Sequence, residues 1–142
     1  MRKTLVLISM GILLALFVLI SPVSYVFASS FARRQTADRL GDIVSYIEGN
    51  IDMVVDYCRD HIPGINAIKP QASFLVWLDC TGLGLDHDSL IDLFVNKARL
   101  GLNDGAMFGR AGNGFMRLNV AVPRSILMQA MHQLADAVKT IQ

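Results

Sequence analysis

Apolar positions recur at three- and four-residue steps over residues 36–60, "TADRLGDIVSYIEGNIDMVVDYCRD", through Leu40, Ile43, Ile47, Ile51, Val54 and Val55. Asp42, Asp52, Asp56 and Arg59 fill the other face, so the spacing predicts a long amphipathic helix. Gly49 and Asn50 weaken its middle by about 1 kcal/mol or less each and mark a bend or a close packing point. Pro63 and Gly64 in "HIPGI" end it. "INAIKPQ" reads as a short strand. The unbroken run Phe74 to Leu78 in "ASFLVWLDC" suits a strand covered on both faces. "TGLGLDHDSL" is a turn with Asp86 or Asp88 capping the next helix. In that helix Leu90, Leu93, Phe94, Lys97 and Ala98 stand in register. The segment "GLNDGAMFGRAGNG" holds Gly101, Gly105, Gly109, Gly112 and Gly114, which predicts an exposed or half-exposed loop with tight turns. "FMRLNVAV" is a strand stopped by Pro123. A closing helix follows, with Ile126, Leu127, Ala130, Met131, Leu134 and Val138 inward and Ser125 as its cap. The order α–β–β–α–β–α predicts a small α/β or α+β sandwich, helices on a short sheet.

The N-terminus departs from this pattern. Arg2 and Lys3 precede an uncharged apolar run from Leu5 to Ile20, Pro22 breaks it, and Val26 and Ala28 give a small-residue pattern before Ser29. That is the layout of a secretory signal peptide, and with the next few residues it is long enough for a membrane anchor. Basic residues on both sides, with Arg33 and Arg34 following, leave the orientation weakly specified. A third reading is an artefactual start ahead of a truncated gene. The expected division is a hydrophobic leader over 1–30, with membrane contact through 5–28 on the first two readings, and a folded domain over 31–142. The apolar fraction of 53% owes much to this leader. The net charge of +1 excludes a strongly basic nucleic-acid surface.

Little points to chemistry. Cys58, Cys80, His61, His87 and His132 have no zinc-ligand spacing, so no metal is expected. The cysteines read as reduced, partly buried thiols, with a disulfide open to an exported chain. There is no phosphate-binding P-loop and no GxSxG elbow. The carboxylates read as solvated helix surface, His61 and His132 as surface residues, Asp79 as the cap of the following turn and Trp77 as core. Arg117 differs, because it lies inside an apolar strand beside the glycine-rich loop. Strand alternation puts Phe115, Arg117 and Asn119 on one face and Met116, Leu118 and Val120 on the other. A planar guanidinium can grip a carboxylate through two parallel hydrogen bonds. Its competing reading is an internal salt bridge to a helix aspartate.

The stretches "YIEGNID", "IPGINAIKPQASFLVWLDC", "LGLDHDSLIDLFVNKARLGLNDGAMFG" and "GNGFMRLNVAVPRSIL" resemble, in order and spacing, the C-terminal small domain of cystathionine β-lyase-like C–S lyases. These enzymes belong to the pyridoxal-phosphate-dependent class I/II aminotransferase superfamily. "FARRQTADRL" matches only loosely, and Ala121 and Val122 stand where the family tends to have glycine and cysteine. The resemblance implies that Arg117, with Asn119 on its face, binds the α-carboxylate of an amino-acid substrate. It also implies that Asn103, Gly105, Phe108 and Gly109 belong to a loop over the active-site mouth. Pyridoxal 5'-phosphate would be held by a large preceding domain, which also supplies the Schiff-base lysine. None of Lys3, Lys69, Lys97 and Lys139 lies in that lysine motif. The implied reaction is β-elimination from a cysteine S-conjugate, with transamination as the alternative, in a cytoplasmic homodimer. The chain alone would then be an inactive C-terminal fragment without catalytic residues. A different reading, suggested by the leader, is a non-catalytic exported or membrane-tethered binding module.

Overall fold

A computed structural model describes the backbone of residues 2–141 and the side chains of residues 24–141. Most of the expected leader therefore lies outside the described side chains. Among the described residues no helix is long and apolar enough to cross a membrane. The chain divides into two compact units, Met1–Ile43 and Val44–Gln142. In the first, the described side chains belong to α1 (Arg2–His61), and Tyr25, Phe27 and Phe31 are exposed.

The second unit is an α+β domain. After the C-terminal part of α1 come β1 (Asn66–Ile68), β2 (Leu75–Asp79), α2 (His87–Asp92), β3 (Asn103–Asp104), β4 (Phe115–Asn119) and α3 (Arg124–Lys139). The strands form one antiparallel sheet in the order β1-β2-β4-β3. Ala67, Val76, Leu78, Met116 and Leu118 point to one face and are buried. They share a core with Ile51, Val54 and Cys58 of α1, Leu90 of α2, Leu93 and Phe94 just after it, and Leu127, Met131, Leu134 and Val138 of α3. The other face carries Trp77, Phe115 and Arg117, all half-buried, and Asn119, which is exposed.

Gly49 and Asn50 are a close packing point. Asn50 is fully buried, and its Nδ2 donates to the carbonyls of Val120 (2.9 Å) and Val122 (3.0 Å). Its Oδ1 accepts from Nε of Arg124 at 3.1 Å. A Cβ on Gly49 would come within 2.7 Å of Nη2 of Arg124, so only glycine leaves that guanidinium in place. Asn50 thus ties the long helix to the link between β4 and α3. Asp86 caps α2 as expected, accepting from the Ser89 N–H at 2.8 Å. Asp79 likewise holds the turn after β2, accepting from the backbone N–H (3.0 Å) and hydroxyl (2.6 Å) of Thr81.

Several expectations fail. Leu40 and Ile43 are exposed, as is Val44, because periodicity selects a face without saying what packs on it, and the core starts at Ile47. Ile126 is exposed for the same reason. Ser125 does not cap α3. Pro123 occupies the cap position, and the Arg124 N–H donates instead to Oη of Tyr46 at 2.6 Å. Strand β2 is covered on one face only, which leaves Trp77 half-buried rather than in the core. The helix after α2 widens over Leu93–Lys97, with the Ala98 N–H reaching back five residues to Leu93 O. The glycine-rich loop hides the two-residue strand β3.

Candidate functional site

The antiparallel registers align one row across the open face: Ile68 of β1, Trp77 of β2, Arg117 of β4 and Asn103 of β3. Alternation along β4 sends the apolar Met116 and Leu118 inward, so Arg117 must point the other way. There Nη2 donates to Oδ1 of Asn103 at 3.1 Å. The Phe108 ring lies against the guanidinium, 4.3 Å from Cζ to the ring centre, within cation–π range. Phe108 is steadied in turn by an edge-on contact with Trp77, ring centres 5.5 Å apart. Trp77 also meets Phe115 edge-on.

No salt bridge engages Arg117 among the described residues, so the internal ion pair that competed for it is not formed. Among the described residues its Nε is buried and has no hydrogen-bond partner. A buried donor without an acceptor costs about 1–3 kcal/mol.

The structure thus brings together Arg117, Asn103 and Phe108. Asn119 shares their face, but its Oδ1 accepts from the Ala121 N–H at 2.9 Å. Gly105 is buried where a Cβ would strike the backbone of Gly112 and Phe115, so it holds the loop shut. Gly109 turns the chain at φ +116°, a conformation that favours glycine and that places the end of the Phe108 turn. Sequence reasoning missed Trp77 as a wall of the site. No sequence signal marked it, because the run Leu75 to Leu78 is apolar on both faces and only the β2–β4 register puts Trp77 on the face of Arg117.

Near the loop, Nε2 of His87 lies 3.4 Å from Oδ2 of Asp104. Cys58 and Cys80 are free and buried. Burial pushes both thiols up to about 12, and the Asp79 and Cys58 charges add to the effect on Cys80. Neither is a reactive nucleophile. Among the described residues no group of histidine, cysteine and acidic side chains could hold a metal ion.

This architecture, a small antiparallel sheet backed by helices, matches part of the fold of pyridoxal-phosphate-dependent fold-type I aminotransferases. No protein-family model matches the chain. A putative cystathionine beta-lyase of Mycobacterium leprae is 30% identical over 124 residues, covering 79% of this chain and 31% of the relative. Cystalysin from Treponema denticola, whose crystal structure contains a pyridoxal 5'-phosphate cofactor, superposes with a TM-score of 0.72 at 28% identity over 77% of this chain and 28% of its own. A PLP-bound putative aminotransferase from Clostridium difficile 630 gives 0.69 at 35% identity over 71% and 26%. The chain is therefore related to the C-terminal portion of cystathionine β-lyase-like C–S lyases and aminotransferases, and spans about a quarter to a third of their length.

Lys69 pairs with Asp52 and Lys139 with Asp136, while Lys97 is exposed on the turn after α2. None of the contacts made by Arg117 involves a lysine.

Proposed function

We propose that residues 44–142 supply the substrate-carboxylate grip of a pyridoxal-phosphate-dependent C–S β-lyase. The parent reaction cleaves a cysteine S-conjugate with water to a thiol, pyruvate and ammonia. Transamination is the second reading, because the relatives carry both names. Arg117 binds and orients the α-carboxylate. Asn103, Gly105, Phe108 and Gly109 shape the loop beside it, and Asn119 lies at the far end of the same strand face. The cofactor and the amine that holds it come from outside this unit, so the chain alone is expected to be inactive.

The observation that supports this reading is the state of Arg117: held by an amide and a ring and, among the described residues, paired with no carboxylate. Two charge-assisted hydrogen bonds are worth about 1.5–3 kcal/mol each, which corresponds to a dissociation constant of roughly millimolar. Calorimetric titration with L-cystathionine should show binding in that range. The interaction should vanish in Arg117→Gln and with a substrate whose α-carboxylate is amidated. Equal binding by Arg117→Gln would overturn the reading.

A further inference from the structure

We infer that Asn103 is a positioning residue whose lack of charge keeps Arg117 available to an external anion. The inference rests on the carboxylate-grip reading and adds what makes the grip usable. A guanidinium on a half-buried strand face needs neighbours to fix its plane. The commonest such neighbour is a carboxylate, which would also neutralise it. The two groups that hold Arg117 are both uncharged. The Asn103 amide oxygen meets Nη2 at 3.1 Å from the register-paired position on β3. The Phe108 ring covers one face of the plane at 4.3 Å. Together they fix the side chain while Nε stays buried and unpartnered.

The backbone sets this arrangement up. Asn103 can reach Arg117 only because β3 pairs with β4 in a register that places the two residues opposite each other. That register is pinned at the next step by Asp104 opposite Met116 and by the cap Asp104 gives the following turn, accepting from the Ala106 N–H at 3.0 Å. The one acid on β3 is thus spent on the loop, one residue away from the arginine, and the amide sits where an acid would occupy the guanidinium. Exchanging that amide for a carboxylate of the same shape keeps the acceptor and adds the charge that an incoming anion would have supplied.

The test is the Asn103→Asp substitution in the full chain, with sodium propionate as the probe. Propionate binding is followed by saturation-transfer NMR and folding by thermal melting. The aspartate should leave Tm unchanged or raise it, since it strengthens the contact with Nη2, and should weaken propionate binding at least tenfold. Asn103→Ala should lower both Tm and affinity, the latter by only a fewfold. Phe108→Leu should weaken binding, and Phe108→Tyr should restore it. A purely structural role for Asn103 predicts unchanged affinity in Asn103→Asp, and that result would overturn the inference while leaving the grip intact. Failure of the wild-type chain to bind propionate, or binding that survives Arg117→Gln, would instead remove the carboxylate-grip reading.

Discussion

Replacing Asn50 by alanine tests how the domain is held together. The side chain makes three hydrogen bonds, two given to carbonyls of the β4–α3 link and one taken from Arg124. Each is worth about 0.5–1.5 kcal/mol net. The Val120 carbonyl lies in a fully buried residue, so losing its donor adds about another 1 kcal/mol. Val122 is only half-buried, and water can replace the amide there. Alanine returns roughly 0.5 kcal/mol through its better helix propensity. The expected loss is about 3–4 kcal/mol, a large share of the stability of an ordinary domain. Urea unfolding of the full chain, followed by helix circular dichroism and by Trp77 fluorescence, should show the midpoint fall with an unchanged slope. The melting temperature should drop by at least about 10 °C. A loss below about 1 kcal/mol would show that the clasp between α1 and the β4–α3 link contributes little.

Other expectations follow from the same contacts. Tyr46→Phe removes the acceptor for the Arg124 N–H and should cost about 1 kcal/mol in urea melts. Gly105→Ala forces the backbones of Gly112 and Phe115 apart, and should raise amide exchange throughout the 103–114 loop while destabilising the domain by about 2 kcal/mol or more. Burial holds both thiols protonated to about 12, whereas an unfolded thiol ionises near 8.5. The unfolded state therefore binds fewer protons between about pH 9 and 12, so stability is full below that window and falls across it. The Cys58→Ala/Cys80→Ala double variant should lose most of that alkaline slope, and an identical slope in both proteins would contradict the burial argument.

The sequence made some of this legible and hid the rest for physical reasons. Along β4 the two faces meet different surroundings, a packed core and an open side, so alternation assigned Phe115, Arg117 and Asn119 together. Along β2 both faces are apolar, and the unbroken run concealed that Trp77 looks outward. Asp86 was readable as a cap because its bond to Ser89 is local. The cap of α3 was not, because Tyr46 lies 78 residues from Arg124 and arrives only through the fold. Helical spacing placed Leu40, Ile43 and Ile126 on apolar faces but carried no information about a covering surface. Strand β3, two residues inside a glycine-rich loop, is too short to leave a pattern, yet it brings Asn103 to the arginine.

The most direct measurement is the Arg117 Nε–H resonance in a 15N-edited NMR spectrum of the full chain, recorded while L-alanine and then L-alaninamide are added. The carboxylate should move that resonance saturably downfield and slow its hydrogen exchange, and the amide should leave it in place. An Nε–H that ignores the carboxylate, or responds equally to both compounds, would contradict the assignment of Arg117 as the residue that holds an amino acid by its acid group.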